Sequence, residues 1–458
     1  MTIIQELVAN VLNTRFEDLD RETVDYAKNR IIDTVGALIG GVHSSGADMM
    51  LDLVKEWGGK PESTILGVGD RVPAANAVLA MGIMSRSNDF EPGGGPSIDG
   101  KQFPGHYSAT MVPTAFAMAE KLGMGGKELM TALILGDDVA GRIGVAGAAP
   151  WDIGWDPAGL CNRFGATAVA GKLMGLNETQ MLNALGIVLN QIGGTMQCVL
   201  DYTHSFKMSQ GVAGWDGILS AELARRGFTG PQDPLTSQFG YFHQFSREVF
   251  PEIVTRDLGK KFYADCEFKL YPCCRGNAGS VESTLKLVGE NDINPEDIAE
   301  ITIDLSPMWE GSFLVQPFKV GPCVQSSAIL NVNYNVASVL LRKNVVLENY
   351  TDEAIRDPKV VALAGKIKIN PTVPGGRMAS RVRVLMKDGR EISAFTEVPR
   401  GDLAVDPLTR DEIKGKFRAS VDFSKVISCD NAEKALGLLD ELENLENMTG
   451  LVKALIPA

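Results

Sequence analysis

Apolar side chains recur at spacings of three and four through most of the first 230 residues, a periodicity that commits this part of the chain to helices packed on one another. In the stretch 22–41, Val24, Ala27, Ile31, Val35 and Leu38 fall on one stripe. Comparable patterns predict helices over 74–86, 108–122, 127–143, 165–174, 178–192 and 212–226, all rich in the strong helix formers Ala, Leu and Met. Glycine and proline punctuate them, as in Gly227-Phe-Thr-Gly-Pro231. The small residues of AGKLMG and VAGRIGVAGAA permit close approach of neighbouring helices, as in a bundle whose helices are buried on several sides.

The pattern changes after about residue 265. AEITIDLSP alternates Ile301, Ile303 and Leu305 with polar neighbours, the period of a half-buried strand. ASRVRVLMKDGREISAFTE alternates through Val382 and Val384, meets Lys387-Asp388-Gly389-Arg390 and resumes at Ile392, which predicts a hairpin. Helical patterns cover 326–341, 357–364 and, last, 431–447. The expected fold is mainly α with α+β: a large all-helical domain from 1–265 and 399–458, and a smaller α/β domain over 266–398.

With 458 residues, 45% hydrophobic and 22% charged, the chain is long enough for more than one core. A net charge of −13 and the lack of a long basic run exclude the electrostatic footprint of a nucleic-acid binder. An anionic substrate must therefore meet a local cationic site. The uncharged stretch 179–200 is broken by Asn183, Asn190, Gln191 and Gln197, so a buried helix pair is expected there and not a membrane span. The first residues lack a basic segment followed by a long apolar one, and a cytoplasmic location is expected. Seven cysteines without a CxxC pair read as reduced thiols, and Cys273-Cys274 is assigned no chemistry. Four scattered histidines form no metal-binding spacing. The glycines at 93–95 follow acids that would repel phosphate, and read as a mobile active-site loop.

Several segments, taken in order, resemble the MmgE/PrpD family: AKNRIIDTVGALIGG, NDFEPGGG, GHYSATMVPTAFAMAE, FGATAVAGKLMGL, FKMSQGVAGWDGILSAELARRGFTGP, FKLYPCCRG and NYNVASVLLRKNVVLENYTDEAIRDPKV. The family includes 2-methylcitrate dehydratase, cis-aconitate decarboxylase and iminodisuccinate epimerase. The resemblance implies a helical domain with a smaller α/β lid, an active site between them, a homodimer, and chemistry on a small anionic carboxylate that needs neither cofactor nor metal.

Removing a proton beside a carboxylate concentrates charge on carbon, so the site needs a placed base, cations for the carboxylates and an acid for any leaving group. His106, between a glycine-rich loop and a helix start, can serve as acid or base near neutral pH and matches the family's active-site histidine. On its own it would more often be a loop histidine bonded to backbone. Asp89 matches the family's acidic residue before that histidine, and Glu91 stands two residues on. Lys269 matches the lysine that precedes a proline and cysteine, and Arg275 follows it; each suits carboxylate binding, and a desolvated lysine can also act as a base. Tyr334 matches a tyrosine that faces the site from the lid, where a phenol could donate a proton. Lys207, His204 and Arg163 complete the candidate substrate-binding set.

The chain departs from the family at two places. Trp155-Asp156-Pro157 stands where relatives place a second histidine, and Gly276-Asn277-Ala278 where many carry a third. The expected activity is that of a cofactor-independent lyase or isomerase acting on a di- or tricarboxylic acid, with dehydration of a 2-methylcitrate-like hydroxy acid as the default outcome. Epimerisation, decarboxylation and a non-catalytic binder of an anionic metabolite are the alternatives.

Overall fold

The structure, a computed structural model, describes residues 1–103, 105–147, 154–373 and 375–457. Its helical part runs through α1 (Ile3–Asn13), α2 (Arg21–Gly40), α3 (Ala47–Trp57), α4 (Ala74–Arg86), α5 (Ser108–Leu122), α6 (Gly126–Gly147), α7 (Asn162–Leu173), α8 (Glu178–Leu189) and α9 (Ser205–Arg225). Polar side chains cap the starts of α1, α2 and α8. Asp20 accepts the Thr23 N–H at 2.8 Å ahead of α2, and Asn177 and Gln180 cap α8 reciprocally.

The glycines allow the helices to cross closely. A Cβ on Gly82 of α4 would lie 2.5 Å from the Gly211 Cα of α9, and one on Gly136 of α6 would lie 2.3 Å from a Val169 methyl of α7. Within VAGRIGVAGAA, a Cβ on Gly144 would lie 2.6 Å from the Phe103 ring. Residues 148 and 149 of that segment, and Pro104 before the candidate histidine, lie outside the described residues.

The smaller part comprises α10 (Ala278–Glu290), β1 (Ile298–Leu305), α11 (Val324–Ile329), α12 (Val332–Arg342), α13 (Pro358–Ala364), β2 (Ile367–Asn370), β3 (Ser380–Met386) and β4 (Glu391–Thr396). Its four-stranded sheet has the order β2-β1-β3-β4. The β3–β4 hairpin pairs Val384 with Ile392, and β1 lies antiparallel to β3 with Ile303 opposite Val382. These inward residues join Val281 and Leu287 of α10 and Val336 and Leu340 of α12 in a second apolar core. Beyond the sheet, α14 (Arg410–Ser424), α15 (Cys429–Asp440) and α16 (Thr449–Ala454) return to the helical core through Ile413, Phe417, Leu436 and Leu451. A Cβ on Gly36 of α2 would lie 2.9 Å from the Phe417 Cα. The fold is thus mainly α with a smaller α+β part.

Three local expectations are corrected and one element was missed. The helix over 326–341 is two helices, broken where the Asn331 side chain accepts the Tyr334 N–H at 3.1 Å and caps α12. The stretch 179–200 holds one buried helix, α8, followed by a loop and the single turn Gln197–Leu200 instead of a helix pair. No helix among the described residues is long and apolar enough to cross a membrane. The helix over 431–447 stops at Asp440. β2, parallel to β1 with Ile367 beside Ile301, has too short a pattern to stand out in sequence.

The close crossings predict opposite effects for two glycine substitutions. Gly211→Ala sets a methyl 2.3 Å from the Leu79 carbonyl oxygen and lowers stability by about 3 kcal/mol. Gly437→Ala, in α15 with nothing within 4 Å of the new methyl, raises it by about 0.5 kcal/mol. Thermal unfolding of both variants beside the parent checks the pair, and equal shifts would contradict the packing.

Candidate active site

At the C-terminus of α4 the chain turns through Ser87 and Asn88, and Asp89 takes φ 48°, in the left-handed region that aspartate tolerates better than most residues. This turn folds Asp89 back on the helix it has just left. Arg86, in the last turn of α4, pairs with the Asp89 carboxylate and donates to Glu91 Oε1 at 2.8 Å. Gly93 and Glu267 then exchange backbone hydrogen bonds of 2.9 and 2.6 Å. This bridge brings up the segment carrying Lys269, whose Nζ donates to the Asp89 carbonyl at 2.9 Å, pairs with the Asp89 carboxylate, and lies 3.8 Å from Glu91 Oε2. A Cβ on Gly93 would lie 3.1 Å from both His106 Cε1 and Lys269 Cε, so any larger residue there crowds the two side chains. Gly93, the first residue of the glycine stretch, is thus paired through its backbone.

His106 immediately precedes α5. Its Nδ1 lies 3.0 Å from Glu91 Oε1, which leaves Nε2 as the ring nitrogen directed to other partners. The Asn162 amide of α7 donates to the His106 carbonyl at 2.8 Å and to Thr110 and Gln210 at 2.9 Å, fixing the backbone from behind.

Charge within this cluster is balanced locally. Asp89, Glu91 and Lys269 are at most 2% exposed. Burial resists ionisation of Asp89, but Arg86 and Lys269 outweigh it and hold the carboxyl well below its usual range. Glu91 is lowered in the same contest, with His106 adding a hydrogen bond. Burial pushes the His106 ring below its ordinary 6.5, Arg86 and Lys269 push it further, and Glu91 opposes them. A neutral imidazole beside an ionised carboxylate results.

His106, Arg86 and Asp89 line a cleft of about 230 Å³ between the helical part and the sheet-bearing part. Arg275 and Asp156 also line it. Arg275 donates from Nε to Glu267 at 2.7 Å and to the carbonyls of Arg400 and Pro399 at 2.7 and 3.3 Å. Lys269 lies behind Asp89. It is buried, as is Arg275, so neither is the surface cation that composition alone would suggest.

The other candidates stand apart from the cleft. The Tyr334 hydroxyl donates to the Asn349 carbonyl, and its fully buried ring packs on Phe318 and Tyr350 inside the lid core instead of facing the site. Lys207 donates to the Ser45 carbonyl at 2.9 Å and to Gln325 Oε1 at 2.7 Å, burial pulling its pKa down to about 8. His204 Nε2 lies 2.7 Å from the Ser45 hydroxyl. Arg163 is paired with Asp216 at 2.6 Å and with the Gly193 carbonyl at 2.9 Å. All three serve to hold helices and loops to one another. Trp155 packs edge-on against Phe245 with centroids 5.1 Å apart, and the Asn277 amide donates to Ile329 O at 3.0 Å. Of the residues in the two departures, Asp156, Pro157 and Gly276 line the cleft.

Arg86 escaped the sequence reading, although Arg-x-x-Asp-x-Glu at a helix end was a visible signal. Asn162 and Gln210 had none, since their partners are distant in the chain. Oxygen and nitrogen atoms of Asp89, Glu91 and His106 lie within 4.8 Å of one another, a donor set that could in principle hold a metal ion. Arg86 and Lys269 already compensate both carboxylates, and a divalent ion would sit against two fixed cations. The set does not fit a resident metal.

Glu91 is the group that raises the His106 pKa, so Glu91→Gln lowers that pKa further. Ring-proton NMR follows this among only four histidines. An unchanged or higher value would show that the two side chains do not interact in solution.

Comparison with known proteins gives the family of both parts of the chain. Residues 5–253 match the MmgE/PrpD N-terminal domain and residues 271–443 the MmgE/PrpD C-terminal domain. The chain is similar to the cis-aconitate decarboxylase-like protein oryM of Aspergillus oryzae, 23% identical over 98% of this chain and 96% of that protein. It is also 24% identical to a cis-aconitate decarboxylase of Aspergillus terreus, over 89% of this chain and 86% of that one. With both domains matched along most of its length, the chain belongs to the MmgE/PrpD family.

Proposed function

We propose that the protein is a lyase that acts on a small polycarboxylic acid by removing a proton α to a carboxylate, with loss of a β-hydroxyl as the outcome. The observation that carries the reading is the Glu91–His106 pair: Glu91 accepts from Nδ1 at 3.0 Å and the ring is held neutral, so Nε2 is available as the base. The carbon–hydrogen electron pair forms the new double bond as the carbon–oxygen bond breaks. The proton taken by Nε2 passes to the departing hydroxide, giving water and restoring the neutral ring. Arg86 at the cleft wall opposes the charge that develops on the carboxylate. Lys269, which pairs with Asp89 and lies 3.8 Å from Glu91 Oε2, favours the ionised form of both carboxylates from behind the cleft. Tyr334 has no part in this scheme.

A second reading, decarboxylation, is favoured by the relatives named as cis-aconitate decarboxylases. It reverses the requirement on His106: the carbon that loses carbon dioxide hands its electron pair into the unsaturated system, and the ring must arrive protonated to supply one proton to carbon.

The two readings differ in pH dependence. For dehydration the neutral ring is the active form, so kcat/KM is full above the His106 pKa and falls as pH drops through it, below 6.5. For decarboxylation kcat/KM rises over that same range. Turnover of citrate, 2-methylcitrate and cis-aconitate from pH 5 to 8, followed by proton NMR and carbon dioxide release, decides between them. In either case His106→Gln lowers kcat by about 10²- to 10⁴-fold. An unaltered kcat in that variant would contradict both.

A further inference from the structure

The cleft has two chemically different faces. Its floor on the helical side is ionic, built from Arg86, Asp89 and His106. Phe206 marks the seam, with its ring centroid 5.2 Å from the Arg86 guanidinium carbon. Beyond it Val199, Trp309 and Leu330 belong to the apolar core of the sheet-bearing part, and the half-buried Met196 and Phe313 pack against that core while also lining the cleft. Charged groups also line the cleft on this side: Glu267, Glu397 and Asp402 are acids, and the cations have other partners. Arg275 is held by Glu267 and two carbonyls, and Arg377 lies over the Trp309 ring at 5.5 Å.

A ligand made only of carboxylates does not match such a cleft. A carboxylate pressed against Val199, Phe313 and Leu330 would lose its water without gaining donors, a cost of several kcal/mol for a charged group. Nor does the wall meet the needs of a free apolar molecule, since that would leave Arg86 and His106 facing it. We infer that the substrate is amphipathic: a carboxylate-bearing head at Arg86 and His106 that carries an alkyl or aryl arm laid along Val199, Phe313 and Leu330. The inference rests on the carboxylate reading of the site and adds to it the chemical class of the remainder of the molecule. It also gives a physical sense to the smaller part of the fold, whose core supplies the surface that reads the arm.

The test uses the full-length protein and saturated 2-alkylsuccinates with methyl, propyl and hexyl arms as non-reacting probes, with Kd measured by calorimetry. Each buried methylene tightens binding about fourfold, so propylsuccinate binds about 16-fold tighter than methylsuccinate. Met196→Ser and Phe313→Ser, substitutions at half-buried positions, flatten the dependence on arm length. An affinity that is flat or falls with length in the parent protein, or no binding of any probe, overturns the inference, and the parent series decides alone if the variants fail to fold. Binding that tightens with length while no polycarboxylate reacts supports the arm and contradicts the lyase reading. Turnover of unsubstituted acids with a flat series does the reverse.

Discussion

Two carboxylates buried beside each other cannot both stay ionised without opposite charge at contact distance. In this protein Arg86 and Lys269 provide it for Asp89 and Glu91. The compensation is exact in number, two negative and two positive groups, and His106 completes the cluster as a neutral ring. Removing one partner from such an arrangement leaves an uncompensated buried charge, at a cost of about 3–5 kcal/mol. Much of the surrounding fold is explained by the need to bring these groups together. The left-handed turn at Asp89, the glycine at 93 and the backbone bridge to Glu267 each hold a segment where an ordinary loop would let the charges drift apart.

Support extends behind the cluster. Asp33 of α2 and Lys416 of α14 form a buried pair 2.5 Å apart, and Lys416 also donates to the Phe90 carbonyl at 3.2 Å. Burial pushes the Asp33 carboxyl up to about 6 even with Lys416 beside it. The chain leaves the helical part to build the sheet and then sends α14 back against α2. The C-terminal helix thereby braces the loop that carries Asp89 and Glu91.

Helices were legible in the sequence where an apolar stripe ran unbroken between clear punctuation, and 74–86 and 108–122 match α4 and α5 residue for residue. The hairpin was legible because alternation and a Lys-Asp-Gly-Arg turn coincide in one short segment. β2 was not, since its four residues pair with β1 across more than sixty residues of chain. The same limit applies to the site. His106, Asp89 and Lys269 could be picked out by resemblance and by residue type. Whether Tyr334, Lys207 or Arg163 reached the cleft depended on partners such as Asn349, Gln325 and Asp216, which no local pattern announces. Arg275 shows an intermediate case: it reaches the cleft, but Glu267 and two carbonyls hold its guanidinium.

The central claim is that a neutral His106, oriented by Glu91, takes a proton from the carbon next to a carboxylate. Hydrogen–deuterium exchange tests it without requiring that the true substrate be known. In D₂O, the α-hydrogens of a bound substituted succinate are followed by proton NMR with the parent protein and with His106→Gln. The account predicts exchange catalysed by the parent and lost in the variant. Exchange at the parent rate in the variant would place the base elsewhere and contradict it.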